Sequence, residues 1–297
     1  MARSKTIRQQ GVDQLRQMFA RGKGTQKHID KQQNGGKPDK GKVYVDSTRN
    51  TYLQGWHKFC DYLKNSGVST RDLEAVVPFV QRFVDALVAE RYSAYTIHTW
   101  ASGVVKVLGL PIAELDLPKR RRVDITRSRL PVRSDAHFSP ANHQDLVDFC
   151  RSVGPRNHKE LAYIRGSDLA TLEDGSFAVD IHKGKGGKQR LAPIYGPPER
   201  VERVVEMMRA AGDELLFPEI PYAADIHSYR AEYACTIYQT HARPLDQIPL
   251  KEQYICRKDL AGVVYDKRAM RIASEALGHS RLDVIAQSYL WALNQFD

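Results

Sequence analysis

The stretch that decides the fold lies near the carboxyl end, and it reads Leu277-Gly278-His279-Ser280-Arg281-Leu282-Asp283-Val284-Ile285-Ala286-Gln287-Ser288-Tyr289. Glycine often ends a helix because it adopts the left-handed conformation without strain, and serine often begins one. The sequence therefore predicts one helix that ends at Gly278 and a second that starts at Ser280. His279 would lie at the junction, with Tyr289 about two and a half turns further along. This layout lets an imidazole and a phenol approach one anion.

Further basic side chains occur at spacings that have structural meaning. His227 and Arg230 are three residues apart, so on a helix they leave the same face. Residues 177–181 and 190–194 alternate between apolar and polar side chains, which predicts a β-hairpin whose tip contains Lys185. Two arginines, a lysine, two histidines and a tyrosine are the groups that attack on a DNA phosphodiester by a protein hydroxyl would need.

The composition is that of an ordinary globular protein with an excess of positive charge. The 297 residues are 42% apolar and 27% charged, and the net charge is +10. No apolar run approaches the roughly 18 residues of a membrane span, and the basic N-terminus lacks the apolar core of a secretory signal. The four cysteines are widely spaced, which excludes a disulfide framework or a zinc signature. We expect a cytoplasmic, nucleoid-associated protein that uses no metal and no cofactor.

The excess positive charge is concentrated in two segments. Residues 1–45 carry a net charge of +8, and residues 119–133 carry a net charge of +6. Localised basic charge is typical of proteins that bind nucleic acid, although a solubilising tail would have a similar composition. The predicted DNA-contacting residues in the second segment are Lys119, Arg120, Arg121, Arg122, Arg127 and Arg129.

Periodicity and breaks divide the chain into four parts. Residues 1–45 read as a basic flexible arm, with one short helix over residues 12–19. Residues 46–118 contain three amphipathic helices. The first places Tyr52, Trp56, Phe59 and Leu63 on one apolar stripe, the second spans 77–91, and the third spans 93–108 with Ser93 as its N-cap candidate. Residues 119–133 lack a period and read as a basic linker. Residues 134–297 form a second globular domain with helices over 142–151 and 160–164, the hairpin, and a mainly helical remainder from residue 198.

Over residues 45–297 the chain resembles the tyrosine recombinase family, the integrases of phages and mobile elements. Five motifs occur in the family's order: an arginine box at 154–161, a hairpin lysine motif at 183–190 followed by Pro193, the His227-x-x-Arg230 box, the Leu277-Gly278-His279 box and the tyrosine at 289. The arginine box has one extra residue, so Arg156 best matches it and Arg165 competes. In the hairpin Lys185 matches best, and Lys183 and Lys188 are rivals.

The resemblance implies a mainly α fold with a small β-sheet in the catalytic domain, preceded by a helical core-binding domain. It also implies a site-specific DNA recombinase that cleaves and rejoins strands through a 3′-phosphotyrosine without metal or ATP. Arg156, Arg230 and His279 would bind the phosphate, His227 would accept the proton of the Tyr289 nucleophile, and Lys185 would protonate the leaving oxygen. If Tyr289 is not the nucleophile, Tyr265 and Tyr254 are the candidates.

The resemblance further implies a homo-tetramer on two synapsed DNA duplexes that integrates or excises a mobile element. An accessory DNA-bending factor is an open expectation.

Two other functions share many of these features. A type IB topoisomerase uses the same phosphotyrosine chemistry, and a non-catalytic DNA-binding relative would keep the fold without cleaving. The Leu277-Gly278-His279 box and the helical N-terminal part favour the recombinase, and the six filled reactive positions disfavour the non-catalytic relative.

Overall fold

The computed structural model describes residues 5–121, 124, 136–157, 159–182, 184, 189–257, 260–290 and 293. The chain divides into two compact units, residues 1–125 and residues 126–297. The boundary falls inside the predicted linker. Within the described ranges, no helix combines the length and the apolar character needed to cross a bilayer.

The regular elements described in the first unit are all helices. Its five α-helices are α1 (Ile7–Gly22), α2 (Lys27–Gln33), α3 (Asp46–Asn65), α4 (Phe79–Ala89) and α5 (Ala94–Leu108). The side chain of Ser93 accepts a hydrogen bond from Thr96 N at the start of α5, as predicted for an N-cap. The predicted apolar stripe of α3 is buried at Trp56, Phe59 and Leu63, where it forms the core of the unit.

Close packing of α3 on α5 depends on two glycines. A Cβ at Gly55 would lie 2.4 Å from the carbonyl oxygen of Trp100, and a Cβ at Gly103 would lie 2.5 Å from that of Tyr52. Neither helix could approach the other so closely with a larger residue at these positions. The two helices therefore form the rigid centre of the first unit.

The prediction of a flexible arm does not hold for the described part of residues 1–45. Helix α1 packs against α3, Leu15 is fully buried, and Trp56 Nε1 donates to the carbonyl oxygen of Arg8 at 3.1 Å. Asp30, on α2, accepts from Lys42 Nζ at 2.8 Å and from the Tyr44 hydroxyl at 2.7 Å. These contacts order a segment whose polar composition alone suggested disorder.

Over its described residues, the second unit combines five α-helices with two small antiparallel sheets. Its elements are α6 (Gln144–Val153), β1 (Leu169–Thr171), β2 (Phe177–Ile181), β3 (Arg190–Pro193), α7 (Pro198–Ala211), α8 (Ile226–His241), β4 (Gln253–Ile255), β5 (Val264–Asp266), α9 (Lys267–Ala276) and α10 (Leu282–Ser288). The first sheet has the order β1-β2-β3, and the second pairs β4 with β5. The predicted mainly α fold with a small sheet is thus confirmed.

The predicted hairpin is present as β2 and β3, with Val179 opposite Ala192. The helix predicted over 160–164 is wrong, because only the single 3-10 turn Leu161–Tyr163 forms there. The chain is already extended at Ile164, and Arg165 then forms a β-bridge with Leu215 that leaves no room for a further helical turn. Strands β1, β4 and β5 were not predicted, since three residues are too few to display an alternating pattern.

Helix α8 runs through the core of the second unit. Its first turns pack in one apolar cluster with α6, α7 and the three-stranded sheet, and its later residues pack in a second cluster with α9 and α10. A helix buried on most sides presents its few polar side chains to defined neighbours. Residues 227 and 230 lie on this helix, and it therefore fixes the position of the candidate site.

Candidate functional site

Helix α8 carries two of the predicted site residues, and they differ sharply in exposure. It begins after Asp225, whose side chain accepts from Ser228 N at 3.2 Å. His227, in the first turn, is exposed, whereas Arg230 is only 2% exposed. A buried guanidinium keeps its charge and must be satisfied by acceptors close to it.

The three side-chain nitrogens of Arg230 each donate to a different segment of the chain. Nε donates to the Tyr289 hydroxyl at 3.2 Å, and one terminal nitrogen donates to the carbonyl oxygen of Leu277 at 2.7 Å. The other terminal nitrogen donates to the carbonyl oxygen of Gly154. One arginine thus joins the arginine box, the end of α9 and the predicted nucleophile.

The helix end at Gly278 places His279 beside the tyrosine. Helix α9 stops at Ala276, and Gly278 adopts a left-handed conformation with φ of 67°, as the sequence predicts. His279 N then donates to the carbonyl oxygen of Ser274 at 2.8 Å, which turns the imidazole toward the Tyr289 hydroxyl. The His279 Nε2 atom lies 3.2 Å from that hydroxyl oxygen.

Tyr289 itself lies at the C-terminal end of α10. This helix begins at Leu282 and has only seven residues, so Tyr289 is about two turns into it, slightly fewer than predicted. The tyrosine is 5% exposed and its ring packs in the apolar cluster of α8, α9 and α10. The hydroxyl nevertheless meets a guanidinium and an imidazole, and the His227 ring centroid lies 5.6 Å from that of the tyrosine. It is a core tyrosine with a polar end.

Arg156 is the residue of the arginine box that reaches this cluster. One of its terminal nitrogens donates to the Leu277 carbonyl oxygen at 3.3 Å, the same oxygen that Arg230 contacts. Its other terminal nitrogen forms an ion pair with Glu160. Arg165, the alternative, is exposed and donates to the carbonyl oxygen of Asp213. The geometry therefore favours Arg156 over Arg165 as the partner of Arg230.

Glu160 is a fully buried carboxylate that links three arginines. It pairs with Arg156, with Arg190 at 2.7 Å and, more distantly, with Arg230 at 3.9 Å. Burial raises the pKa of Glu160, but the charge of Arg190 and the hydrogen bond and charge of Arg156 outweigh it, so the pKa lies below its ordinary value. The ionised carboxylate holds the arginines together in place.

Arg190 and Glu160 are the members of this cluster to which the sequence assigned no role. Arg190, at the start of β3, also donates to the carbonyl oxygen of Ala276 at 2.9 Å, and burial lowers the pKa of its guanidinium. The hairpin register pairs Arg190 with the buried Ile181, which indicates that the Arg190 side chain lies on the buried face of the sheet. No pattern along the sequence, however, indicated which acid it would meet.

Other predicted site residues fall outside the described part of the chain. Lys185 and its rivals Lys183 and Lys188 lie outside the described residues, although the two strands that flank them are present. In the basic linker, Arg122, Arg127 and Arg129 are also outside. Lys119, Arg120 and Arg121 are described, and the Arg120 guanidinium lies 5.9 Å from the centre of the Tyr95 ring.

The two alternative tyrosines have different surroundings. Tyr265 is 3% exposed, and its hydroxyl donates to the carbonyl oxygen of Leu290 at 2.9 Å. Tyr254 is half-buried and lies on β4, opposite Tyr265. The hydroxyl with a hydrogen bond to Arg230 is that of Tyr289. Across the described ranges, no group of three His, Cys, Asp or Glu side chains could hold a metal ion.

Chemically, the cluster can bind an anion and stabilise charge on a phenolic oxygen. A guanidinium that donates to the Tyr289 oxygen stabilises negative charge at that atom. His279 offers a second nitrogen to the same atom, and Arg156 adds a further positive charge nearby. Such preorganised donors are the usual means of stabilising a charged transition state.

No protein-family model matches the sequence, and no curated protein matches it. Among solved structures, the chain is similar to the Tn1549 transposon integrase in complex with a circular intermediate DNA, at 11% identity and a TM-score of 0.46, over 96% of this chain and 95% of that one. The same integrase in complex with transposon right end DNA gives a TM-score of 0.47 at 11% identity, with the same coverage. XerA recombinase gives 0.31 at 14% identity, over 91% and 95% of the two chains.

Proposed function

We propose that the protein is a site-specific DNA recombinase that cleaves and rejoins strands through a covalent 3′-phosphotyrosine at Tyr289. The observation that carries this proposal is the position of the Tyr289 hydroxyl, 3.2 Å from Arg230 Nε and 3.2 Å from His279 Nε2. A tyrosine buried for packing alone would not need two cationic or ionisable partners at its oxygen. Two of the five motifs, His227-x-x-Arg230 and Leu277-Gly278-His279, supply the side chains that contact this oxygen, and Arg156 of a third motif donates to the same Leu277 carbonyl oxygen as Arg230.

The reaction follows from the charges in the cluster. The Tyr289 oxygen attacks the phosphorus of a DNA phosphodiester, a P–O bond to tyrosine forms, and the bond to the 5′ oxygen breaks. The exposed His227 accepts the phenolic proton, and Lys185 donates a proton to the departing 5′ oxygen. Arg156, Arg230 and His279 stabilise the additional negative charge on the nonbridging oxygens.

The phosphotyrosine keeps the energy of the broken bond, so the steps reverse when a free 5′ hydroxyl attacks. Religation to the same strand restores the substrate, and religation to another strand recombines it. Two duplexes and four active sites would then be required, so the assembly we propose is a homo-tetramer on synapsed DNA. Integration or excision of a mobile element is the biological role that fits this chemistry, with or without a DNA-bending factor.

Covalent capture on DNA of unspecified sequence tests the proposal. The substrates are randomised duplexes with a label at the 5′ end and scattered nicks. Cleavage next to a nick releases a short fragment with a free 5′ hydroxyl, so the strand cannot be rejoined and its labelled part remains on the protein. We expect the wild type to give a labelled, protease-sensitive band on a denaturing gel. Tyr289→Phe should give none, while its affinity for the same DNA, measured by gel shift, stays within about twofold because only one hydroxyl is removed.

An adduct of equal yield with Tyr289→Phe would contradict the assignment of the nucleophile. Plasmid relaxation separates this function from a topoisomerase. A recombinase should relax only plasmids that carry sequences recovered from the captured pool, whereas efficient relaxation of any plasmid would favour the topoisomerase.

A further inference from the structure

Two buried side chains donate to the backbone immediately around the predicted nucleophile. The Cys235 thiol donates to the carbonyl oxygen of Tyr289 at 3.6 Å, and the Tyr265 hydroxyl donates to the carbonyl oxygen of Leu290 at 2.9 Å. All four residues are at most 6% exposed. Neither donor belongs to any of the five motifs, and neither touches the arginine cluster through these bonds.

The two accepting carbonyls follow α10 directly, since the helix ends at Ser288. A buried carbonyl is more stable with a donor than without one, and the Cys235 thiol and the Tyr265 hydroxyl are such donors. Helix α10 has seven residues, and a helix of that length has little stability of its own. The position of the Tyr289 phenol therefore depends on tertiary contacts at the helix end.

The same rigid elements carry the donors and the polar groups of the site. Helix α8 carries His227 and Arg230 and also carries Cys235. Strand β5 carries Tyr265 and leads directly into α9, whose end positions His279. Helix α8 thus both presents Arg230 to the Tyr289 hydroxyl and holds the backbone at Tyr289, and β5, directly before α9, holds the backbone at Leu290.

We propose that Cys235 and Tyr265 are positioning residues that hold the Tyr289 phenol within reach of Arg230 and His279 of its own chain. The catalytic part of this inference rests on the proposed function, whereas the structural part does not. Without the two donors, the α10 segment would leave its docked position more often, and the phenolic oxygen would be in line with a bound phosphate for a smaller fraction of the time.

The thiol and the hydroxyl contribute to different degrees. A thiol is a weak donor and the distance of 3.6 Å is long, whereas the hydroxyl bond at 2.9 Å is of ordinary length. Burial raises the pKa of Cys235 to about 12, so the thiol keeps the proton that it donates. Tyr265 is therefore the stronger of the two positioning residues.

The test compares Tyr265→Phe with Tyr238→Phe. Both changes remove one hydroxyl from a buried tyrosine of the same apolar cluster, and the two rings are 5.5 Å apart. The Tyr238 hydroxyl accepts from Asp266 N, on the strand that leads into α9, rather than donating to the end of α10. Hydrogen exchange of the peptide covering residues 282–290 in the free, full-length protein measures docking of α10 without DNA.

Tyr265→Phe should speed exchange in this peptide by about tenfold, the size expected when one buried hydrogen bond is removed. It should also slow single-turnover adduct formation by a similar factor, while the affinity for DNA stays unchanged. Tyr238→Phe should lower the melting temperature but leave exchange at 282–290 unchanged. Cys235→Ala should act in the same direction as Tyr265→Phe with a smaller effect, and Cys235→Ser, which restores a donor, should reverse most of it.

Unchanged exchange at 282–290 in Tyr265→Phe would overturn the inference, as would an equal effect of Tyr238→Phe, which would indicate general loosening of the core. If the wild type forms no adduct on any DNA, the proposed function fails. The exchange experiment would still decide whether the two donors hold α10.

Discussion

Arg230 and Glu160 organise the candidate site with opposite charges. Arg230 uses its three nitrogens to bring together Gly154, Leu277 and Tyr289. Glu160 is the buried negative charge that allows several guanidiniums to lie close to one another. Without that carboxylate their mutual repulsion would separate them. A phosphate would then meet a less organised set of donors.

Glu160→Gln should destabilise the second unit by roughly 3–5 kcal/mol at neutral pH, because it leaves buried guanidiniums without their partner charge. Urea unfolding monitored on the second unit measures the change in stability. The matched control is Glu232→Gln, which breaks an Arg–Glu pair with partly exposed side chains and should cost at most about 1 kcal/mol.

The difference in stability between wild type and Glu160→Gln has a predicted pH dependence. The pKa of Glu160 is lowered in the folded state, so its stabilising contribution is fully present above the ordinary value of 4.5 and is lost as the pH falls through the lower folded value. The difference in stability between wild type and Glu160→Gln should therefore be constant above pH 4.5 and shrink as the pH falls below that value. A difference that stays constant to low pH would show that the carboxylate charge does not organise the arginines.

At the scale of elements, the end of α9 determines where the imidazole lies. Gly278 has a positive φ, and a Cβ there would also come within 2.7 Å of Arg190 Cδ. The Arg190 side chain cannot easily move away because Glu160 and the Ala276 carbonyl hold it. The conformation of this turn and the packing of the hairpin strand against it are therefore coupled.

Gly278→Ala should cost about 1–2 kcal/mol for the left-handed backbone and more for the contact with Arg190, and it should slow adduct formation by displacing His279. Gly175→Ala is the control, because Gly175 has a φ of 81° but open space where the Cβ would lie. Thermal unfolding measures both variants. If Gly278→Ala and Gly175→Ala lower the melting temperature equally, the contact with Arg190 does not contribute to the cost of Gly278→Ala.

Under the proposed function, the segment between β2 and β3 supplies the general acid, Lys185. Lys185→Ala should slow cleavage of ordinary DNA by about 100-fold, a typical contribution of one general acid, but should hardly slow cleavage of a substrate with a 5′-bridging sulfur, which leaves without a proton. Single-turnover rates on the two substrates provide the comparison, and Lys183→Ala and Lys188→Ala are the matched variants. Equal slowing of both substrates by Lys185→Ala would remove it from this role.

The sequence predicts elements whose signal is local, and it misses those that depend on distant partners. The helix end at Gly278, the N-cap Ser93 and the hairpin at 177–194 each follow from a few neighbouring residues, and the structure contains them. The ordered packing of residues 5–45 was missed because it depends on contacts between residues far apart in the sequence, such as Trp56 with Arg8 and Asp30 with Lys42 and Tyr44. The Glu160–Arg190 pair joins residues thirty positions apart, and no periodic pattern links them.

At the scale of the whole molecule, the basic segments define the expected contact with DNA. The two basic segments carry +8 and +6, more than the whole net charge of +10, and the described part of the second contains Lys119, Arg120 and Arg121. Positive charge that meets phosphates displaces condensed cations, so the affinity depends steeply on salt concentration. Contacts of this kind determine affinity and position on the duplex, not base sequence.

Replacing Lys119, Arg120 and Arg121 together by alanine should weaken binding to DNA of any sequence. The slope of log affinity against log salt should become shallower by about 0.9 for each phosphate that the variant no longer neutralises. Fluorescence anisotropy over a range of salt concentrations measures this slope. Alanine at three other exposed basic residues, Lys64, Lys251 and Arg271, makes the same change in net charge, and an equal change of slope would mean that the linker makes no particular contact.

The central claim is that one phenolic oxygen near the carboxyl end becomes bonded to DNA phosphorus. Its most direct test is to digest the captured adduct with nuclease and protease and to locate the nucleotide remnant by peptide mass spectrometry. We predict a single modified peptide, with the phosphate on Tyr289. A remnant on Tyr265, Tyr254 or any other residue would contradict the claim.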